Sequence, residues 1–474
     1  MKQACRSGAD LQENRPQRPQ QTWAWLILAF AAINVIFLGG KRRAFGVFVA
    51  QLHVEFNQTI TLAELNWIGD SYAAFGYMTT TLSTSTILAY GRRFQLFQLL
   101  GTLAILLACV TSAFVPNPHW LFLTHTLFHG IGSSLILSVV GLVVNEHFDK
   151  QHPYHILATT LVSGGSIASI LFVQLYAYLI EVYNWRNAFL ILGVIYFFVT
   201  LTGSCFFTKR EDLPPYANDK KCLGAIWDVE RDKVPYLVLW FFDRIMTSIV
   251  TYGMLLNLAD YVRRREASLT KSSHLTLLFA SGEASTYAIA AVIAVLTKNL
   301  LKNRLKYILS STTFVMSCSL IYWEVVASNE TLSYFLAYLS GFCMGPSITF
   351  LFPAGEEMTM LPGHLAYPFS LAGMGVGMAL SPSVTAMIAE RYEYRYFFVI
   401  QGFLMFFKFL ALLTAIIMQR LAARSAAGVG GHKYELVKQL DLPMPDEVEP
   451  GTAVAAADAL RERGSSINSS TRNY

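Results

Sequence analysis

The run Leu99-Leu100-Gly101-Thr102-Leu103-Ala104-Ile105-Leu106-Leu107-Ala108-Cys109-Val110 contains no charged side chain and no alternation of apolar with polar residues. A membrane β-strand would alternate over about ten residues, so a helix is the reading that remains. Lipid offers the backbone no hydrogen-bond partner, and a helix closes its peptide groups within its own segment. Followed outward, the run ends at Gly91-Arg92-Arg93 on one side and Pro116-Asn117-Pro118 on the other. Those boundaries predict a helix over 95–115, close to the roughly 20 residues that cross a bilayer.

Apolar runs broken by charges and Pro/Gly turns predict eleven more helices of the same kind. The first six of the resulting twelve cover 23–52, 65–90, 95–115, 120–147, 157–182 and 187–208. The second six cover 234–261, 274–297, 306–327, 332–360, 366–389 and 396–421. Twelve spans need roughly 240 residues, and the chain has 474. Composition agrees, with 54% hydrophobic and 14% charged residues and a mean hydropathy of +0.42, against about 25% charged in soluble domains. An ordinary soluble enzyme is excluded. The net charge of +5 is dispersed and offers no nucleic-acid surface. Cys109, Cys205, Cys318 and Cys343 sit in apolar runs without CxxC spacing and are expected to be core packing residues.

The organisation expected is a polar N-terminal segment over 1–22, a six-helix half over 23–208 and a central polar loop over 209–233. A second half over 234–421 and a disordered tail over 422–474 complete it. The first apolar stretch is too long for a signal-peptide core and is expected to stay as a helix. Loops on the side of the N-terminus hold thirteen Lys and Arg and the opposite loops seven. The positive-inside rule therefore puts both termini in the cytoplasm. The sequons at Asn57 and Asn329 then fall outside, as candidate glycosylation sites. Tyr434-Glu435-Leu436-Val437 in the tail fits a tyrosine-based sorting pattern.

Several blocks between 23 and 421 resemble the monocarboxylate transporter family, a branch of the major facilitators. Tyr183-Asn184-Trp185-Arg186-Asn187-Ala188-Phe189-Leu190-Ile191-Leu192-Gly193 is similar to that family's entry into its sixth helix. Trp23-Ala24-Trp25, then Arg43 with Phe45-Gly46-Val47-Phe48, resemble its first helix. Ser381-Pro382, Ile388-Ala389-Glu390, Tyr394 and Phe398 resemble its closing pattern from the eleventh helix onward. Gln20, Gln21 and Thr22 replace the acidic and glycine residues that usually precede the first tryptophan. Ser285 and Ile289 stand where proton-coupled members carry an aspartate and an arginine. The resemblance implies an all-α polytopic membrane protein of the major facilitator fold, twelve transmembrane helices in two six-helix halves. It implies a monocarboxylate or related small organic solute, with symport and facilitated diffusion both open. For some relatives it also implies a single-span immunoglobulin-type ancillary glycoprotein.

Ionisable groups inside the bilayer cost several kcal/mol and usually face a water-filled path or a partner. Arg43 stands where the resemblance places a cationic substrate contact, and a guanidinium grips a carboxylate through two parallel hydrogen bonds. Lys41 and Arg42 beside it read as either cavity or headgroup cations. Asp243 and Arg244 interrupt the apolar seventh span and, with Tyr287 of the eighth, complete the substrate-binding candidates. Asp243 is a possible partner of Arg43. Glu283 is the acid nearest the missing aspartate and the proton-coupling candidate. Arg92 and Arg93 are gating candidates opposite Glu356 and Glu357. Asp70 falls within the second span. His125 and His129 lie one turn apart without a third ligand, so they read as polar packing or pore lining and no metal is expected.

Gly130, Gly132, Gly373, Gly375 and Gly377 are expected to let helices approach closely. Their Gly-x-Gly spacing lies inside apolar helices, so no nucleotide loop or cofactor is implied. The function expected is secondary transport by alternating access in the plasma membrane, with lipid and an anionic solute as partners. The alternative is a transport-incompetent sensor or scaffold that keeps the fold.

Overall fold

The structure is a computed structural model that describes residues 17–56, 59–164, 170–210, 229–266, 269–298, 301–326, 329–392 and 396–439. Within these helices the side chains of 255–266, 269–273 and 425–439 and some others, that of Arg43 among them, lie outside the described residues, as does Asn57. The first compact unit is Met1–Ala415 and the second is Ile416–Tyr474. Helices α1 (Gln17–Phe56), α2 (Leu62–Met78), α3 (Thr80–Ala89) and α4 (Phe94–Ala113) come first. A 3₁₀ turn (Pro118–Trp120) and a π-helical turn (Phe122–Leu127) lead into α5 (Phe128–His147), followed by α6 (His155–Ser163) and α7 (Ile170–Phe206). Then come α8 (Val234–Glu266), α9 (Leu269–Thr297), α10 (Leu305–Val326), α11 (Glu330–Thr349), α12 (Leu351–Thr359), α13 (Gly363–Tyr392) and α14 (Phe397–Gln439).

Among the described residues eight helices are long and apolar enough to cross a membrane, or nine when α11 and α12, bent by 65°, count as one span. The uncharged run 99–110 lies in α4. Leu96, Leu100, Leu103, Leu107 and Val110 of this helix are exposed while Phe97, Gly101, Ile105 and Ala108 are buried. A helix apolar on its exposed stripe as well as on its packed one is at home in hydrocarbon. That stripe also corrects the reading of two cysteines. Cys109 and Cys343 are buried, but Cys205 and Cys318 are exposed, because an apolar run in a membrane chain does not distinguish a lipid-facing residue from a core one.

Local chemistry sets the breaks. The expected second span is delivered as α2 and α3, parted at Thr79, whose hydroxyl donates to the Phe75 carbonyl at 2.8 Å. α2 starts with a capping box: the Thr61 hydroxyl accepts from Glu64 N–H while the Thr61 N–H and hydroxyl donate to Glu64 Oε2, each at 2.8 Å. Those bonds hold the Glu64 carboxyl below the usual carboxylate range. Inside α7, Asn184 has φ 69° and ψ 154°, a non-helical combination that essentially only glycine adopts without strain. It divides that helix within the expected gap between 182 and 187. Asn329 caps α11, its side chain accepting from Leu332 N–H at 3.2 Å. α14 continues to Gln439, past residue 421, the end expected for the last span. The side chains of Tyr434–Val437 lie outside the described residues.

Two apolar cores form. One gathers Phe45, Phe48, Tyr72 and Phe189 and continues into Phe352 of α12 and Tyr367, Leu371 and Met374 of α13. The other joins Met254, Phe279, Met316, Trp323, Phe398 and Met405. The first core thus reaches across the chain midpoint. Where α2 meets α13, a Cβ on Gly375 would lie 2.6 Å from Met78 N and 2.7 Å from Ala74 O, so only a glycine permits this approach.

Candidate functional site

A cavity of about 40 Å³ lies where α1, α2, α5 and α6 face α11, α12 and α13. Arg42, Tyr72, Tyr77, His129 and Ser133 line it from the first set, and Ile348, Leu351, Tyr367, Leu371 and Met374 from the second. Arg42 is its cation. Its Nη1 donates to the Tyr77 hydroxyl at 2.8 Å, and its guanidinium carbon sits 5.4 Å from the Tyr77 ring and 5.0 Å from the Tyr252 ring of α8. Arg42 Nε has no hydrogen-bond partner among the described residues. This is a guanidinium held by aromatic rings with donor capacity in hand.

Lys41 does not line that cavity. Buried on another side of α1, its Nζ donates to Cys109 Sγ at 3.6 Å and lies 5.8 Å and 5.5 Å from the rings of Tyr72 and Tyr196. The His125 ring stacks on Phe45 at 4.7 Å, and His129 meets Tyr72 edge-on at 4.8 Å. Among the described residues no group of three His, Cys, Asp or Glu is placed to hold a metal. Asp70 of α2 keeps one buried carboxylate oxygen, Oδ2, without a partner among the described residues.

A second polar cluster lies behind the α11–α13 wall. Asp243, Arg244 and Lys408 are fully buried. Arg244 donates to Asp243 Oδ2 through Nε at 2.6 Å and also through Nη2, and Nη1 donates to the Ser347 carbonyl at 2.6 Å. Lys408 Nζ donates to Ser347 Oγ at 2.7 Å.

At the end of the site formed by α6 and α12, a third group ties the chain across. His155 Nδ1 donates to the Phe148 carbonyl at 2.7 Å, and its Nε2 lies 2.8 Å from Glu356 Oε2. A carbonyl only accepts, so Nδ1 carries a hydrogen, and the Nε2–Oε2 bond holds one further proton between ring and carboxyl. Nearby, Phe352 N–H donates to Ser163 Oγ at 3.2 Å and Lys150 Nζ to the Leu361 carbonyl at 3.2 Å. Removing the imidazole strands a buried carboxyl, which costs about 1–3 kcal/mol. His155→Ala is therefore expected to speed thiol alkylation of Ser163→Cys at least about five-fold, and an unchanged labelling rate would remove His155 from the closure.

The profile of the Major Facilitator Superfamily matches residues 24–359. The chain belongs to that superfamily. Among curated relatives, this facilitator is 28% identical over 183 residues to human monocarboxylate transporter 14, covering 36% of this chain and 33% of the relative. It is 28% identical over 214 residues to mouse monocarboxylate transporter 6, covering 43% and 44%, and 25% identical over 218 residues to human monocarboxylate transporter 2, covering 46% and 43%. The chain thus spans less than half the length of the curated relatives it matches. In three dimensions it is similar to a double-tryptophan variant of XylE (TM-score 0.62, 14% identity, 83% of this chain and 96% of that one). It is also similar to the human organic anion transporter MFSD10 (TM-score 0.56, 13% identity, 84% and 100%). These likenesses carry the fold: an all-helical, integral membrane facilitator.

The residues singled out in the sequence distribute unevenly around this geometry. Arg43 follows Arg42 on α1, but its side chain lies outside the described residues. Asp243 closes on its own neighbour Arg244 and on Lys408; neither Asp243 nor Arg244 lines the cavity. Tyr287 reaches α6, its hydroxyl donating to the Leu161 carbonyl at 3.4 Å, and Glu283 is buried on α9. Arg92 pairs with Glu146 at 3.2 Å rather than with Glu356, Arg93 is exposed, and Glu357 accepts from Asn303 N–H at 2.6 Å. The expected pairing of Arg92 and Arg93 with Glu356 and Glu357 is therefore not the one formed: Glu146 takes Arg92, and Glu356 meets His155. Lys408 and His155 escaped the sequence reading. The signal for Lys408 was available, a lone lysine in Phe406-Phe407-Lys408-Phe409.

Proposed function

We propose that this facilitator carries a small organic anion, a monocarboxylate or related acid, across the plasma membrane by alternating access. The observation that carries the reading is Arg42, a guanidinium with an unengaged donor in the wall of a cavity shared by α1, α2, α5 and α6 with α11–α13. Such a group suits a planar carboxylate, and the surrounding tyrosines suit an apolar body. Partial similarity to several monocarboxylate transporters supports the substrate class. Arg43 is assigned to the same path from its place in the sequence, and Tyr287 to closing it from α9. With both termini cytoplasmic, the His155–Glu356 bridge closes the cytoplasmic mouth, aided by Glu357 and the Arg92-Arg93 turn. Co-expression with a single-span immunoglobulin-type glycoprotein tests whether surface delivery needs one.

The test is uptake of labelled monocarboxylates, aromatic amino acids and neutral solutes at outside pH 6 and 7.5, in wild type, Arg42→Ala and Arg42→Lys. A charge-assisted bidentate contact is worth about 1.5–3 kcal/mol, so Arg42→Ala is expected to lower carboxylate uptake at least about ten-fold at equal surface expression. Arg42→Lys should not restore it, since an ammonium lacks the planar fork. Uptake by Arg42→Ala equal to wild type overturns the site. Solute-dependent stabilisation without flux for every compound would favour the sensor instead.

A further inference from the structure

We propose that Lys408 is the group that takes up and releases a proton in this facilitator's transport cycle. The inference rests on the transport reading above and moves the coupling site away from Glu283. Its basis is a charge count in a closed space. Asp243 and Arg244 of α8 and Lys408 of α14 all have no exposed surface. None of the three lines that cavity.

Arg244 and Asp243 neutralise each other. The guanidinium gives two hydrogen bonds to Asp243 Oδ2 and a third to the Ser347 carbonyl of α11, and its carbon lies 4.1 Å from the ring of Trp240. Trp240 is itself fixed by Nε1 donating to Ser370 Oγ of α13 at 2.7 Å. An arginine so held keeps its charge. Lys408 is the group left over. Its Nζ stands 3.8 Å from Asp243 Oδ1, an ion-pair distance outside hydrogen-bond reach to a carboxylate already shared with Arg244, and its only hydrogen bond among the described residues is the one to Ser347 Oγ at 2.7 Å.

An ammonium has three hydrogens to place, and here one is placed. With all three groups ionised the cluster carries +1 inside a low-dielectric space; with Lys408 as the amine it carries zero. Two buried cations sharing one carboxylate leave an excess charge that is strongly disfavoured. Among the described residues the charged groups facing Lys408 are Asp243 and Arg244 from α8; the side chains that α11 and α13 add to the cluster, Ser347 and Ser370, are hydroxyls, and α10 packs on α14 through Phe314 and Ser317.

The cluster is one layer behind the solute cavity. Ser347 precedes Ile348, and Gly373, whose Cβ would lie 2.9 Å from Arg244 Cβ, stands between Leu371 and Met374; Ile348, Leu371 and Met374 all line the cavity. A shift of α11 or α13 as solute enters therefore changes the 3.8 Å gap between Lys408 and Asp243. Closing it gives the ammonium a carboxylate partner, and opening it releases the proton. The step balances as amine plus proton giving ammonium, with the proton drawn from water on the side where solute enters and returned on the other. One carboxylate and one proton then cross together without net charge.

The test reconstitutes wild type, Lys408→Met, Lys408→Arg and Glu283→Gln in liposomes enclosing a pH dye. Labelled lactate and pyruvate are the probes, and counterflow and proton flux are read together. Wild type is expected to move protons with solute, and Lys408→Met to show a proton-to-solute ratio at least ten-fold lower. Lys408→Arg, always charged, is expected to lose proton flux as well, whereas a merely structural ammonium would be rescued by arginine. Glu283→Gln is expected to keep the wild-type ratio. Proton flux kept by either Lys408 variant, or lost only in Glu283→Gln, overturns the assignment. Wild-type counterflow without proton flux overturns it and leaves the transport reading intact. No counterflow of either probe by wild type overturns both for this substrate class. Should Lys408→Met fail to reconstitute, Lys408→Gln gives the same neutral state.

Discussion

Replacing Asp243 by alanine is expected to destabilise this facilitator by about 3–5 kcal/mol, the cost of stripping a buried ion pair of one partner. Arg244 would keep its hydrogen bond to the Ser347 carbonyl and its place over Trp240, but it would have no anion, and Lys408 would lose the carboxylate 3.8 Å away. Total stabilities run at about 5–15 kcal/mol, so the variant should be scarce in detergent extracts and melt far below wild type. The double variant Asp243→Leu, Arg244→Met removes both charges and fills the space with apolar atoms. Exchanging a whole buried pair in this way is often neutral or stabilising, so the double variant should recover much of the loss. Equal melting of Asp243→Ala and wild type would mean that the pair does not bear on stability.

Gly375→Leu is expected to cut uptake at least about ten-fold at unchanged surface expression. Its Cβ would fall 2.6 Å from Met78 N, 2.7 Å from Ala74 O and 2.8 Å from Met78 Cγ. Two of those atoms are backbone, which cannot rotate away, so α2 and α13 must move apart along their length. Overpacking of this sort costs typically 1–3 kcal/mol, charged here only to conformations in which the two helices touch. Surface biotinylation beside uptake separates this from misfolding, and Gly375→Ala should fall between the two. Wild-type uptake by Gly375→Leu would show that the seam takes no part in the cycle.

Much of the architecture was legible because membrane helices announce themselves by length and composition. The run at 99–110 lies inside α4, and the break expected between 182 and 187 falls on Asn184, whose backbone leaves the helical region. The glycines expected to pack helices do so: Gly130 lies against the Tyr72 carbonyl, Gly132 against Gly101, and Gly377 against the Ile245 carbonyl. The polar pairings were not legible. Lys41, Arg42 and Arg43 point about 100° apart from one to the next, and the rotation of α1, set by its neighbours, decides which of them enters the cavity. His155 and Glu356 are 201 residues apart, a distance over which no local spacing informs. The same holds for Lys408, whose nearest carboxylate, Asp243, lies on another helix.

The smallness of the cavity has a consequence for every affinity that will be measured. About 40 Å³ is room for a few waters, one needing about 10–15 Å³, and is well short of the roughly 300 Å³ at the small end of ligand pockets. The shape described here is therefore one that solute must displace, and the observed dissociation constant exceeds the intrinsic one by the inverse of the fraction of molecules already open. A substitution that merely loosens the closed shape, touching no solute atom, should then tighten apparent binding while slowing turnover, and an inhibitor that wedges the site open will owe part of its potency to that same fraction.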